Sequence, residues 1–368
     1  MPTQLRTYLL CLAALSLLAC QPSGGGDAEA EGSGDETESA ETTEGEGSGA
    51  EGAAVETEVE QIVLYSGRNE EMVGPIIEAF ENETGVDVVV NYAGSAELAA
   101  TLLEEGDRTP ADVFLAQDAS TLGFLEGQGT LAAVPEGLLT QVDTRYRSPA
   151  GHWVGITGRA RVLAYNTDNL NSSTLPRDFR ALTEPHWRGR VGWAPENASF
   201  QSFVATMIAM EGEEATLEWL SAMQANEPVA FPSNTPMVTA IGRGELDVGL
   251  TNHYYLYRLR EEHGADFAAE NHYFRDGSAA AFVNVTGAAI LEASDNREGA
   301  QMLIGYLLGD QAQTMFAEAN HEFPLVNGVA SPDGLPAATD LNVPSVDLAN
   351  IHDLETTHRL LRESGALQ

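Results

Sequence analysis

Over most of the chain, short apolar runs alternate with segments of helical periodicity. Residues 62–65, 86–90 and 112–116 have the length and apolar content of buried strands. Between the first two runs, residues 71–84 place their apolar side chains on one helical face. Repeated strand–helix–strand units predict an α/β fold with mostly parallel sheets covered by helices on both faces.

Single residues mark the ends of the predicted helices. Gly85 follows the first apolar helical face and is a stop signal. Ser95 and Asp118 each precede a helical pattern, and both residue types are favoured at a helix N-cap. We therefore expect helices to begin near these two residues.

The same alternation resumes after an irregular middle at 135–151. A chain of 368 residues with this pattern predicts two α/β lobes, and ligands of such sheets bind at the carboxyl ends of strands, between lobes. The further strand runs are 162–165, 190–193, 229–231 and 246–250, and the further helical segments are 199–210, 217–223 and 253–263.

The charge balance argues strongly against polyanionic partners. The chain has 18 basic and 56 acidic side chains and a net charge of −38, whereas nucleic acids and anionic membrane surfaces attract basic patches. Cations are the more natural ligands. All 18 basic residues are arginines, which fits either a saline habitat or an acidic proteome with GC-rich codons.

The first residues predict export. Residues 1–19 read as a signal peptide whose apolar run is too short for a permanent membrane span. The string Leu17-Leu18-Ala19-Cys20 resembles a bacterial lipobox, in which Cys20 is lipidated after cleavage. The alternative is an ordinary small-residue cleavage site that happens to precede a cysteine. Because Cys11 lies in the removed segment, no disulfide is expected.

Residues 20–60 predict a disordered acidic tether. From residue 21 the segment consists largely of glycine, serine, alanine, threonine and acidic residues, with 13 carboxylates and no basic or aromatic side chain. Such a segment cannot bury enough apolar surface to offset the entropy lost on ordering.

Motifs of metalloproteases, phosphate-binding loops and nucleophile elbows are absent from the sequence, which disfavours an enzyme. The distinctive feature is Tyr254 beside Tyr255, at a helix start directly after the strand run 246–250. Phenolate is a hard anionic oxygen donor that suits a hard cation such as Fe(III). The alternative is that tyrosines at helical spacing belong to the core.

Five stretches, spread in order from about Ile62 to the C-terminus, carry a family resemblance. Through them the chain resembles the periplasmic ferric-ion-binding proteins of bacterial ABC importers. The resemblance implies a type-II periplasmic-binding-protein fold with a hinge of crossing strands. It also implies lobe 1 at 62–158 plus 286–330 and lobe 2 at 159–285 plus 331–368. The matching stretches are 65–69, 104–114, 157–162, 252–255 and 322–325.

The resemblance aligns Tyr254 and Tyr255 with the two iron-binding tyrosines of the family. Two other ligands differ, because Asn69 stands where many members have histidine and Gln117 where they have glutamate. Ser199 stands near the place of a third ligating tyrosine in some members. Asn69, Gln117 and Asp118 are the weaker metal-ligand candidates; for Asp118 the alternative is a purely structural role as a helix cap.

Two phenolates leave the Fe(III) charge and coordination shell incomplete, so the resemblance implies carbonate or phosphate as a co-ligand. A helix start offers free N–H groups for such an anion. Arg68 could hold carbonate in a bidentate contact or pair with a surface acid. For Arg159 and Arg161, in the strand between lobes, pairing with acids inside the fold is equally plausible. The anion candidates are Arg68, Asn197, Ala198, Ser199, Asn234 and Asn252.

These observations together predict an extracytoplasmic lipoprotein that captures ferric ion and delivers it to an ABC permease. We expect a monomer, lipid-anchored on the periplasmic side or on the outer face of the cytoplasmic membrane, without nucleic acid or catalysis. One alternative is the same fold binding thiamine, a polyamine or a phosphonate. The other is a lipid-anchored hydrolase, which requires a nucleophile and base within hydrogen-bond reach in the cleft.

Overall fold

The computed structural model describes part of the chain. The predicted signal peptide, Cys20 and the tether lie outside the described residues. Within the described part, no helix has the length and apolar character needed to cross a membrane. The described residues are 61–331, 334–344, 346–348, 351 and 353–367.

Strands and helices alternate along this part of the chain, as the apolar pattern predicts. The strands are β1 (Gln61–Ser66), β2 (Asp87–Tyr92), β3 (Val113–Ala116), β4 (Val154–Asn166), β5 (Val191–Trp193), β6 (Val229–Ala230), β7 (Val248–Asn252), β8 (Ala269–His272), β9 (Val283–Ile290) and β10 (Phe323–Pro324). The helices are α1 (Glu70–Thr84), α2 (Ser95–Glu105), α3 (Ala119–Gly127), α4 (Glu136–Leu139), α5 (Ala198–Glu211), α6 (Glu213–Ala225), α7 (Asn234–Gly242), α8 (Tyr254–His263), α9 (Arg297–Leu307), α10 (Asp310–Asn320) and α11 (Leu354–Glu363).

The strands form one continuous sheet in the order β2-β1-β3-β9-β4-β7-β5-β6, with β8 and β10 also paired to β4. Pairing is parallel in the two outer groups, β2-β1-β3 and β7-β5-β6. Each antiparallel pairing among the named strands involves β4 or β9. The predicted α/β class is confirmed, and its antiparallel part is confined to the middle of the sheet.

Strand β4 joins the two parallel groups. It has 13 residues, all of them buried. Its first part, up to Ala160, pairs with β9 and β10, whereas its second part, from Arg161, pairs with β7 and β8. Arg159 faces Asn284 of β9 in the register, and Arg161 faces Asn252 of β7. The change of partners therefore falls between two arginines.

Within residues 61–367, as far as the structure describes them, the buried apolar residues form three clusters. The largest surrounds β1, β3, β9 and the helices packed on them, the second surrounds β5, α5 and α6, and the third lies between α7 and α8. The segment after residue 331 contributes to two of these clusters. Leu341 and Val343 join the first cluster, and Leu360 and Leu361 of α11 join the second.

Candidate functional site

Polar residues follow the carboxyl ends of four strands that have parallel partners. Residues 67–69 follow β1, and 117–118 follow β3. Residues 194–199 connect β5 to α5, and Asn252 ends β7 shortly before Tyr254 begins α8. The two parallel groups run in opposite directions and flank different halves of β4, so these carboxyl ends point toward each other at the junction along β4. The predicted site residues therefore lie at the carboxyl ends of strands, where ligands of α/β folds bind.

These residues surround two adjoining cavities of about 430 and 160 Å³. Both cavities are lined by Gln117, Arg159 and Tyr254. Asn234 lines neither cavity and lies behind the wall of the smaller one, where it bonds to two lining residues. The remaining predicted metal and anion residues each line at least one cavity: Asn69, Arg68, Asp118, Asn197, Ala198, Ser199, Asn252 and Tyr255.

The rings of Tyr254 and Tyr255 are stacked, with centroids 4.4 Å apart and an angle of 30° between their planes. Burial raises the pKa of Tyr254 above its usual value, and the neighbouring Tyr255 raises it further, while the guanidinium of Arg159 acts in the opposite direction. The Tyr254 phenol therefore stays protonated near neutral pH until a cation displaces the proton. Arg258 lies over the Tyr254 ring, 4.9 Å from its centroid.

A network of polar side chains forms the wall of the smaller cavity at the start of α5. Asn197 is the N-cap, and its Oδ1 accepts hydrogen bonds from the Ser199 amide at 3.0 Å and the Ser199 hydroxyl at 2.7 Å. Nδ2 of Asn234, which is fully buried, donates to Ser199 Oγ at 3.0 Å and to Asn197 Oδ1 at 3.2 Å. This network holds the α5 N-terminus, a favourable place for an anion, beside the tyrosines.

Two buried arginines of β4 lie beside the same cavities. Arg161 donates to Ser199 Oγ at 3.1 Å and to the Leu250 carbonyl at 3.0 Å, and Arg159 donates to the Gln117 carbonyl. Neither guanidinium forms an ion pair with a described carboxylate, and Nε of each is buried without a partner. Burial lowers the pKa of Arg161 to about 9, although the nearby tyrosines act to raise it. Glu322 and Asp118 act on Arg159 through space and oppose the lowering of its pKa by burial, but neither carboxylate contacts a guanidinium group of these two arginines directly.

Arg68, unlike Arg159 and Arg161, forms a buried ion pair. Its Nη2 lies 2.6 Å from Oε1 of Glu322, and its Nη1 donates to Thr286 Oγ1 at 2.7 Å. Burial would raise the pKa of Glu322, but Arg68 and Arg159 outweigh that effect and lower it. Glu322 is therefore a carboxylate, and it neutralises Arg68 where both line the larger cavity.

Comparisons with known proteins place the chain in a family. Residues 108–350 match the family model described as bacterial extracellular solute-binding protein. The chain belongs to this family. A curated relative of this solute-binding protein is the Fe(3+)-binding periplasmic protein of Serratia marcescens, 32% identical over 86% of this chain and 94% of the relative.

Solved structures similar to this chain include proteins with bound iron. Iron-bound HitA from Pseudomonas aeruginosa is 31% identical, with a TM-score of 0.74, over 83% of this chain and 99% of that chain. A Trichodesmium protein in complex with iron and citrate ligands is 26% identical, with a TM-score of 0.72, over 83% and 99%. The predicted resemblance to periplasmic ferric-ion-binding proteins and the predicted type-II fold are confirmed.

The weaker metal-ligand candidates of this solute-binding protein are neutral or engaged elsewhere. Asp118 caps α3, because its Oδ1 accepts hydrogen bonds from the Thr121 amide at 2.9 Å and from Ser120 Oγ at 2.5 Å. The predicted cap is confirmed, and the residue still lines the smaller cavity. The side chains of Asn69 and Gln117 are exposed and make no hydrogen bond to described residues. They offer neutral amide oxygens to the larger cavity.

The described carboxylate and imidazole side chains do not form an alternative metal site. Among the described residues, no group of three or more His, Cys, Asp or Glu is arranged to hold a metal ion. The hydroxyl groups that line the two cavities make no hydrogen bond to a described histidine or carboxylate; Ser202 Oγ, for example, donates to the Ala198 carbonyl at 3.0 Å. This part of the protein therefore offers no nucleophile–base pair of the kind that the hydrolase alternative requires.

Sequence reasoning left open the pairing of Arg159 and Arg161 and missed Glu322 and Arg258 as lining residues. The spacing of Arg159 and Arg161 places both on one face of a strand, which was a usable signal. Nothing local indicates that Glu322, far along the chain, lies beside Arg68.

Proposed function

We propose that this chain is an extracytoplasmic lipoprotein that binds Fe(III) together with a carbonate or phosphate anion and delivers it to an ABC permease. The observation that carries the proposal is the stacked pair Tyr254 and Tyr255 next to two buried arginines without carboxylate partners. Further support comes from the relative named Fe(3+)-binding periplasmic protein and from the similar structure of iron-bound HitA. The lipobox-like string at Cys20 supports the lipid anchor.

Charge balance explains why an anion would accompany the metal. Two phenolates offset two of the three charges of Fe(III) and fill two coordination positions. Arg159 and Arg161 add positive charge beside the same cavity. A dianion placed between the metal and these guanidinium groups would lower the net charge and complete part of the coordination shell. Water, or an amide oxygen of Gln117 or Asn69, could fill what remains.

Release would follow from the same chemistry. Because the pKa of Tyr254 is raised, protons compete with Fe(III) for the phenolate oxygens, so acid favours release. Reduction or loss of the anion would also weaken binding. Strand β4, which runs through both parts of the sheet, would let the lobes close around the ion by a small bend.

A visible spectrum of the Fe(III)-loaded protein tests the metal site. We expect a phenolate-to-iron charge-transfer band that is lost in the double variant Tyr254→Phe, Tyr255→Phe. The matched control is Tyr257→Phe, because Tyr257 lies on the same helix, donates to the Gly334 carbonyl at 2.8 Å and lines neither cavity. An unchanged band in the double variant would refute the assignment. In the same assay, Arg161→Met should weaken the dependence of iron affinity on bicarbonate or phosphate, and the double variant Arg159→Met, Arg161→Met should abolish it.

One alternative gains support from the arginines. An organic phosphonate or phosphate would pair with Arg159 and Arg161, whereas thiamine and polyamines would bring positive charge to them. A colourless protein that retains an organic anion in native mass spectrometry would favour this second function.

A further inference from the structure

A third cavity, of about 530 Å³, shares no lining residue with the two cavities of the iron site. It lies where β8 leaves the sheet. Its lining residues are Arg177, Asn271, His272, Tyr273, Arg275 and Asp276.

The lining of this third cavity is positively charged in a strongly acidic protein. Neither Arg177 nor Arg275 forms an ion pair with a described carboxylate. The one carboxylate in the lining belongs to Asp276, and its Oδ1 accepts a hydrogen bond from the Ser278 amide at 3.0 Å. Two guanidinium groups thus face one carboxylate, although the chain has 56 acidic side chains available for pairing. An anion would supply the missing charge.

His272 adds no charge at neutral pH. Its Nε2 lies 3.1 Å from the Pro176 carbonyl and donates to it, and burial lowers the pKa of the imidazole. The positive charge of the cavity therefore comes from the two arginines.

One buried polar group of the lining, the side-chain oxygen of Asn271, has no hydrogen-bond partner among the described residues. Asn271 is 8% exposed, and its Nδ2 donates to the His253 carbonyl at 2.8 Å. That bond fixes the orientation of the amide, which leaves Oδ1 as an acceptor without a partner. The hydroxyl of Tyr273 is also buried, next to the side chains of Tyr257 and Asn271. A buried acceptor without a partner is normally satisfied by a ligand or water, so the cavity calls for a hydrogen-bond donor as well as an anion.

We propose that this third cavity binds a small oxyanion that carries a hydroxyl group. The oxyanion would accept hydrogen bonds from Arg177 and Arg275, and its O–H would donate to Oδ1 of Asn271. Orthophosphate, which is partly protonated near neutral pH, has both features; sulfate has the oxygens but no O–H. The site does not depend on iron. Because Asn271 also bonds to the carbonyl of His253, the cavity adjoins the backbone that positions Tyr254.

Phosphate and sulfate binding to the iron-free full chain test this proposal by isothermal titration calorimetry. The Arg161→Met background removes one of the two guanidinium groups proposed to hold the anion of the iron site and so weakens phosphate binding there. The arginine variants described next identify the binding that belongs to the third cavity. We expect phosphate to bind at least tenfold more tightly than sulfate. The double variant Arg177→Gln, Arg275→Gln should lose this phosphate binding while keeping the charge-transfer band of the iron-loaded protein.

The control is Arg108→Gln, Arg243→Gln, which removes the same charge from exposed arginines that lie outside this cavity and have no described carboxylate partner. It should bind phosphate as the Arg161→Met protein does. Unchanged phosphate binding in the Arg177→Gln, Arg275→Gln protein would overturn the site. Equal losses in both double variants would reduce it to a general charge effect, and equal affinity for sulfate would overturn the role of Asn271.

Discussion

Replacing Glu322 by glutamine removes the carboxylate that neutralises Arg68. Both side chains are buried, at 4% and 2% exposure, and Arg68 Nη2 lies 2.6 Å from Glu322 Oε1. The other oxygen of Glu322 accepts a hydrogen bond from Thr157 Oγ1 at 2.5 Å. Glutamine can keep an acceptor for one of these bonds but cannot offset the guanidinium charge. The variant therefore leaves a buried cation whose neighbour Arg159 also lacks a described ion pair.

Breaking a buried ion pair by removing one partner costs about 3–5 kcal/mol. Because glutamine retains one hydrogen bond, we expect a loss near the lower end, about 3 kcal/mol. Each kcal/mol lowers the melting temperature of a domain of about 150–250 residues by roughly 2–4 °C and that of a larger chain by less, so the midpoint should fall by at most roughly 6–12 °C. Thermal and urea unfolding of the iron-free protein measure both quantities.

Two further variants decide whether the lost charge balance is the cause. Glu270→Gln breaks the partly exposed pair with Arg260, whose atoms are 2.9 Å apart, and should cost less than about 1 kcal/mol. The double variant Arg68→Met, Glu322→Gln removes both buried charges and should be more stable than Glu322→Gln alone. If the double variant is instead the less stable of the two, an unneutralised Arg68 is not the source of the loss and the reasoning fails.

Two more predictions concern the same wall of the larger cavity. A Cβ at Gly67 would lie 2.0 Å from Ser95 Oγ, whereas one at Gly94 would meet nothing within 4 Å. Gly67→Ala should therefore cost about 1–3 kcal/mol in urea unfolding and Gly94→Ala less than about 0.5 kcal/mol, and equal losses would contradict the packing argument. Because the pKa of Glu322 is lowered from 4.5 in the folded state, its contribution to stability is present above pH 4.5 and is lost as the pH falls through the folded value. The stability difference between wild type and Glu322→Gln should shrink below pH 4.5, and a constant difference down to acid unfolding would disprove the linkage.

Local signals predicted most element types and some of their ends. Gly85 ends α1 with φ of 73°, and Asp118 caps α3, both as expected from short-range preferences. Ser95 is the first residue of α2 but makes no cap bond; its Oγ accepts the Gln117 amide at 2.8 Å. The cap prediction was wrong because a backbone group brought in by the fold competes for the same oxygen.

In the candidate site, too, some features could be predicted from local sequence and others depend on the whole fold. Tyr254 and Tyr255 are adjacent in sequence, so their placement at a helix start after a strand could be predicted from a short window. The partner of Arg68 lies 254 residues away, and its identity depends on how β4 and β10 pair. The lack of an ion pair at Arg159 and Arg161 is likewise a property of the whole fold. Composition alone, with 56 acidic side chains, would predict the opposite.

Arg159 and Arg161, which have no described ion pair, lie on either side of the point where β4 changes its neighbouring strands, so an anion bound to both would affect the rigidity of this strand. Arg159 lies on the part of the strand that pairs with β9, and Arg161 on the part that pairs with β7. An anion that bonds to both guanidinium groups would span this junction and brace it against twisting. Binding of the metal and its anion would then also stiffen the backbone. We expect slower amide hydrogen exchange around Ala160 in the loaded protein than in the empty protein.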